Sequence, residues 1–412
     1  MLADFHKNVL KLLTSISIAQ LIPIIITPLL TQYFTPEQFG FYGLYISICT
    51  ILGAIASGKY DVAIMLPKRK KDALNILALC VLIAFFFSAI ILSLLNIFHD
   101  LLFLKIESEL ISKYYFIIPL SIFLISINQS LINFLNRNRK YNCIAHQNIL
   151  KSSSNSFSGL VLGFKKITSG LIMGHIFSLI LTSALNFKNC IRDLNWQFIN
   201  QKSMVKNFKK YIDFLKFSTL SNLFNSISNI GMTTIIIIFF GAKIAGLYFI
   251  AEKIIAIPVS FMTSSISQVY FEKASKLIYN DKVKLLNLTN KIQKNIFYIL
   301  LPFLIIASIF GENIFSLFGE RWAQSGLILK YFSVFVLMKN IYSPISHIGD
   351  ILNKQKILLF FNISLFSFQL IAFYFLKEYN DIKVALLTAS IFGAIHYLIL
   401  NAYMKSELKK LI

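Results

Sequence analysis

Apolar residues fill this chain in long blocks, interrupted by short polar connections. Twelve blocks approach the roughly 20 residues that a helix needs to cross the hydrocarbon core of a bilayer. They fall near 9–32, 39–66, 73–98, 111–135, 144–164, 167–187, 212–240, 244–271, 292–310, 325–348, 356–376 and 383–404. The fifth is the most polar, with "HQNILKSSSNSFSG" at its centre. A helix surrounded by other helices tolerates such a face.

The charged residues support this count. Lys and Arg are expected to gather on the cytoplasmic side of a membrane protein. With the N-terminus placed inside, the outer connections hold only Lys105, Lys113, Lys165, Lys166, Lys243, Arg321, Lys377 and Lys383. Six more basic residues fall within blocks: Lys59, Lys151, Lys216, Lys253, Lys330 and Lys339. The other 26 of the 40 lie on the inner side, and the bias alternates through all twelve spans. Omitting span five would break that alternation. Both termini are therefore expected in the cytoplasm. The longest connection, 188–211, lies at mid-chain, and the outer loops near 99–110 and 311–324 leave no room for a soluble catalytic domain.

Composition agrees. The chain of 412 residues is 56% hydrophobic and 14% charged, against about 25% charged in soluble proteins. Its net charge of +22 does not indicate nucleic-acid binding, because the basic residues form short clusters between apolar runs rather than a basic domain. Cys49, Cys80, Cys143 and Cys190 have neither metal nor redox spacing, and the six histidines form no ligand constellation. No metal site is expected, and no cleavable signal peptide is read at the N-terminus.

The chain also repeats itself. "YFTPEQFGFYGLY" joins spans one and two, and "FFGAKIAGLYFIA" joins spans seven and eight. Phe34 aligns with Phe240, Gly40 with Gly246 and Tyr42 with Tyr248, each 206 residues apart, half of 412. A parallel repeat of six spans follows. The expected fold is an all-α polytopic membrane protein with twelve transmembrane helices. Residues 1–206 and 207–412 would form two six-helix bundles, related by a pseudo-twofold axis along the membrane normal. Such a pair suits alternating access, with substrate between the bundles.

A charge inside a span is costly unless it meets a cavity or a partner. Snorkelling from a helix end accounts for Lys216, Asp213 and Glu272, and for Lys330. Lys59, Lys151, Lys253 and Lys339 remain, with Asp61 and Glu252. Lys59 and Asp61 are two apart, and Glu252 and Lys253 are adjacent. Neither spacing lets side chains meet on a helix, so each charge needs a partner from another helix, a ligand or water. Amides also align. Ser218, Asn222, Asn225 and Asn229 share one face of span seven; Ser126, Gln129, Asn133 and Asn136 share one of span four. They either join helices or line a sugar-compatible path. Pro23, Pro28, Pro258, Pro302 and Pro344 are candidate bends.

Several stretches together resemble a known family. "LLTQYFTPEQFGFYGLY", "GKYDVAIMLPK", "GLYFIAEKIIAIPVSFMTSSISQVYFEKASK" and "LLPFLIIASIFGENIFSLFGERWAQSG" are similar to segments of the bacterial polysaccharide transporters. These are the O-antigen and capsule repeat-unit flippases of the multidrug/oligosaccharidyl-lipid/polysaccharide exporter superfamily. One departure is "FLKFS" (Phe214–Ser218), where the family often has Phe-Pro-Lys before span seven.

The resemblance implies a flippase of the bacterial inner membrane. It would carry an undecaprenyl-pyrophosphate-linked oligosaccharide to the periplasmic leaflet for O-antigen, lipopolysaccharide or other surface polysaccharide. Lys59, Lys151, Lys253 and Lys339, with Asn222, Asn225 and Asn229, would then face the pyrophosphate or glycan. Asp61 or Glu252 would carry a coupling proton or sodium ion, with no cofactor. The partners implied are the lipid-linked substrate, the bilayer, a polysaccharide polymerase and a chain-length regulator. Two other readings stay open. One is a multidrug exporter of the same superfamily, which would favour an acidic cavity for cationic drugs. The other is a membrane polymerase or ligase, which would need positioned acid, base or arginine groups on a larger loop. Lipid II flippases are close in mechanism but have two further spans.

Overall fold

The structure is a computed structural model that describes residues 2–99, 114–346, 348–352, 354–379 and 381–412. Lys105 and Lys113, with most of the expected outer loop near 99–110, lie outside the described residues, as do the side chains of Lys7, Lys11, Glu272 and Lys276.

The described chain is built from sixteen α-helices. They are α1 (Leu2–Tyr33), α2 (Pro36–Gly53), α3 (Tyr60–Ala63), α4 (Lys70–Ile97), α5 (Ile117–Arg137), α6 (Tyr141–Phe164), α7 (Gly170–Ile191), α8 (Gln201–Lys210), α9 (Thr219–Ile230), α10 (Met232–Asn280), α11 (Lys282–Ile309), α12 (Gly311–Ser316), α13 (Ala323–Tyr342), α14 (Ile348–Ile351), α15 (Gln355–Leu376) and α16 (Ile382–Lys409). No strand occurs among the described residues. Among the described residues, each of the twelve predicted spans contains helix. Eight of the helices are long and apolar enough to cross a membrane. The helices of spans two, five, seven and ten, namely α2, α6, α9 and α13, are shorter or more polar.

Three predicted spans are not continuous helices; in span ten, α13 ends at Tyr342 and Ser343–Ile345 forms a 3-10 turn. In span two, α2 ends at Gly53 and the chain turns until α3 begins at Tyr60. Gly58 and Lys59 both take left-handed backbone, with φ of 59° each, which no α-helix can propagate. Around span seven, Phe214–Ser218 forms one π-helical turn before α9. This is the "FLKFS" segment, and the Phe214 carbonyl accepts both the Thr219 amide, five residues on, and the Thr219 hydroxyl, the latter at 3.1 Å. Spans seven and eight then meet within α10 at Gly241, whose φ of 83° and ψ of 171° break the helix.

The equivalent corner in the first half is built differently. Pro36 follows Thr35, whose hydroxyl accepts from the Gln38 amide at 3.3 Å, while the Gln38 side chain accepts from the Thr35 amide at 2.9 Å. This capping box satisfies two otherwise orphaned amides. The repeat residues play matching parts. Phe34 packs against Gly163 at the end of α6, and Phe240 meets Phe373 near the end of α15 edge to face. Those are spans five and eleven, six apart, as a six-span repeat requires.

The polar fifth span owes its place to close packing. α6 lies against both α1 and α7. At the α7 crossing, a Cβ on Gly174 would sit 2.8 Å from the Gly159 backbone nitrogen and 2.9 Å from the Ser158 hydroxyl. Small residues let membrane helices approach this closely.

The chain divides into two compact units, Met1–Thr234 and Ile235–Ile412. This division lies beyond the 206/207 boundary expected from the repeat: the mid-chain connection folds onto the first unit, and α9 packs against α2. Asn75 of α4 donates to the Phe198 carbonyl and accepts from the Asn200 amide, at 2.8 and 2.9 Å. Tyr60 stacks on Phe208 and donates to its carbonyl at 2.9 Å. α8 packs on α4.

Candidate functional site

In the first unit, the break in span two separates Lys59 from Asp61. Lys59 is the residue before α3 and stays half-buried; Asp61 is 2% exposed. Their depth cannot be measured along one continuous helix, because the helix is interrupted at Gly58 and Lys59. Asp61 accepts from the Ser57 hydroxyl at 2.8 Å. Asn133 of α5 donates both to the Asp61 carboxylate at 3.2 Å and to its backbone carbonyl at 3.0 Å. The cross-helix partner required for Asp61 is thus an amide from the polar face of span four. Between Lys59 and Asp61, Tyr60 is fully buried in a cluster with Ile64, Leu74, Cys80 and Phe134. The basic-aromatic-acidic triplet therefore anchors through its aromatic ring, fixes its carboxylate and leaves its lysine half-buried.

Arg137 holds the other end of α3. Its guanidinium donates to the carbonyls of Ile64 and Met65, at 3.1 Å each, and to those of Pro67 and Lys68. The planar fork of arginine suits several carbonyls at once. In the sequence Arg137 counted only as an inner-side charge, and nothing local links it to residues some 70 positions away.

Lys151 lies ten residues into α6, about 15 Å along its axis, and its side chain is exposed. Close by is a buried network that the sequence did not disclose. The Tyr45 hydroxyl meets Ser121 at 2.6 Å and Nδ1 of His175 at 3.0 Å, and Asn155 donates to Tyr42 at 3.4 Å. In α9, Asn222 donates to the Ser218 carbonyl at 3.1 Å, and Asn229 donates to the Asn225 carbonyl and side chain at 2.8 and 3.0 Å. Asn225 is exposed.

In the second unit, Glu252 and Lys253 of α10 are half-buried, as is Lys339 of α13. Glu252 and Lys339, 87 positions apart, lie in the same neighbourhood but not within ion-pair distance. Lys339 also lies over the Phe335 ring, 5.7 Å from its centroid, within the range of a cation–π contact. Tyr248, a repeat residue, is one turn before Glu252 and packs on Phe332 of α13. Lys216 and Lys330 are exposed. Among the described residues, no carboxylate lies within ion-pair distance of Lys59, Lys151 or Lys253. No group of three or more His, Cys, Asp or Glu that could hold a metal is found there.

A family model described as "Polysaccharide biosynthesis protein" matches residues 29–326. By sequence, no curated protein matches the chain. Similar solved structures include an inward-facing multidrug resistance MATE family transporter of the MOP superfamily, 16% identical with a TM-score of 0.72, covering 95% of each chain. The lipid II flippase MurJ in an inward closed conformation is 17% identical with a TM-score of 0.70, covering 95% of this chain and 88% of that one. A MOP superfamily transporter from Pyrococcus furiosus, reported with a binding pocket of reverse polarity, is 16% identical with a TM-score of 0.62, covering 98% and 96%. The fold is that of the MOP-superfamily transporters.

Proposed function

Because the chain belongs to the polysaccharide biosynthesis protein family, we propose that it is a flippase for a lipid-linked oligosaccharide. It would move an undecaprenyl-pyrophosphate-linked repeat unit from the cytoplasmic to the periplasmic leaflet of the bacterial inner membrane by alternating access. Both termini would face the cytoplasm, and the product would enter O-antigen or another surface polysaccharide, with a polymerase and chain-length regulator acting afterwards.

The observation that carries this reading is Lys151, exposed halfway along a membrane helix with no carboxylate partner among the described residues. A lysine there is costly in lipid and reasonable in a water-filled path. Lys59 and Lys253 are likewise without an acidic partner, and an ammonium serves as a mobile point charge for phosphate. Asn222, Asn225 and Asn229 would face the glycan. Asp61 is held by Ser57 and Asn133 and serves the architecture of α3. Glu252, set against Lys339, is the better candidate for a coupling proton or sodium ion.

The lipid II flippase of the same fold supports a lipid cargo. The multidrug transporter supports the rival reading, but the intramembrane charges here are mainly basic and disfavour cationic drugs. An enzyme, such as a polymerase or ligase, is the reading of another class.

Changing Lys59, Lys151, Lys253 and Lys339 singly and together to Ala is expected to lower surface glycan at unchanged protein level. Full surface glycan in every combination would refute the lysine-lined path. Drug resistance conferred in an export-deficient host would favour the rival.

A further inference from the structure

A further basic site lies within the first unit. Where α5 turns into α6 and α7 ends, the first unit has an open cavity of about 640 Å³. Arg139, Lys140, Tyr141 and Asn142 line it from one side, and Lys188 and Arg192 from the other.

The charges in it are not balanced. Asp193 is the nearby acid, and it is already taken. Lys140 pairs with it at 2.7 Å and Lys70 at 3.6 Å, while Asn138 donates to it at 3.4 Å. Lys140 also donates to the Asn189 carbonyl at 2.9 Å. Among the described residues, Arg139, Lys188 and Arg192 have no carboxylate within ion-pair distance. Like charges gathered round one concavity repel each other until an anion enters.

The backbone is also unfavourable at this corner. Arg139 has φ of 57°. Its amide donates to the Asn136 carbonyl and the Lys140 amide to that of Leu135, both at 2.9 Å. These bonds close a helix end at which glycine would cost least. The chain places a guanidinium there instead.

An apolar track leads away from the cavity. Phe177, Ile180, Phe187 and Ile191 are 53%, 50%, 43% and 47% exposed, and their spacing aligns them along one side of α7. Lys188 and Arg192 each follow a residue of this track. A free phosphate would use the cations and ignore the track. A lipid uses both, with its headgroup among the cations and a chain along α7.

We propose that this cavity binds an anionic phospholipid through its phosphodiester headgroup. The occupant is a constituent of the surrounding leaflet, so the site stands whether or not the transport reading holds.

The test uses full-length protein in nanodiscs, with native mass spectrometry to count bound lipid. Wild-type protein is expected to retain phosphatidylglycerol in preference to phosphatidylcholine. Arg139→Gly, Lys188→Gln and Arg192→Gln should each reduce that preference by about fivefold, the usual effect of one basic residue at an anionic surface. Phe187→Ala with Ile191→Ala should weaken retention while leaving the charges intact. Arg139→Gly suits the left-handed backbone, so its melting temperature should hold or rise, which separates lost binding from lost fold. An unchanged preference in all the charge variants would overturn the proposal. Binding of inorganic pyrophosphate in detergent, displaced by none of the phosphatidylglycerol, would overturn it in favour of a soluble anion.

Discussion

Asn133→Leu should loosen the first unit by an amount that the geometry sets. The substitution removes one donor to the Asp61 carboxylate and one to its backbone carbonyl, at 3.2 and 3.0 Å. A hydrogen bond to a charged group contributes about 1.5–3 kcal/mol and a neutral one about 0.5–1.5 kcal/mol. Asn133 is only half-buried and Ser57 remains on Asp61, so the lower part of the range applies, about 2–3 kcal/mol. For a unit the size of Met1–Thr234, that corresponds to roughly 4–12 °C in melting temperature.

The protein carries its own reporters for this change. Cys80 and Cys190 are buried in the cluster that surrounds Tyr60. With Cys49 and Cys143 replaced by Ala, a thiol-reactive dye would read the opening of that cluster on heating. Asp61→Leu completes a double-mutant cycle, and the coupling energy should be about 1–3 kcal/mol. A melting temperature unmoved by Asn133→Leu, or additivity of the two substitutions within about 0.5 kcal/mol, would refute the claim that the amide holds the carboxylate.

Arg137→Lys keeps the charge but loses the fork over four carbonyls, and should destabilise by about 2 kcal/mol, seen as faster amide exchange at Ile64, Met65, Leu66 and Lys68; unchanged exchange contradicts the clamp. Gly174→Ala pushes a methyl against the Gly159 backbone and should cost about 1–3 kcal/mol by the same thiol assay; wild-type stability would show that α6 and α7 separate freely. Burial raises the Asp193 pKa, but Lys140 and Lys70 outweigh it and hold the carboxyl below its ordinary 3.8. Its folded value lies below its unfolded one, so its stabilising contribution is present above pH 3.8 and is lost as pH falls through the folded value. Asp193→Asn should therefore flatten the acid limb of the melting curve, and an identical limb would contradict the pairing.

The helices were legible because hydropathy reports lipid contact directly. Even polar span five was found, since charge alternation required it. Its structural support, the Gly159–Gly174 approach, depends on two helices at once and leaves no local signal. The break at Gly58 and Lys59 was hidden for another reason. Averaged hydropathy carries the span across Ser57, Gly58, Lys59 and Asp61, and a single glycine inside a helical run does not by itself mark left-handed backbone. The π-turn at Phe214–Ser218 coincides with the departure noted in "FLKFS", but a missing proline does not specify which turn replaces it. Among site residues, sequence gave the charges and their inability to pair locally. The Asn133 bonds to Asp61, the approach of Lys339 to Glu252, the Arg137 clamp and the Tyr45–Ser121–His175 network arise between distant segments, which spacing alone does not reveal.

The central claim is tested most directly by deleting the gene in its own host and analysing the lipid-linked oligosaccharides. The account predicts that one complete repeat unit on its polyprenyl diphosphate accumulates on the cytoplasmic face, and that wild-type protein but not the quadruple lysine variant clears it. Normal lipid-linked pools with intact surface glycan would contradict it.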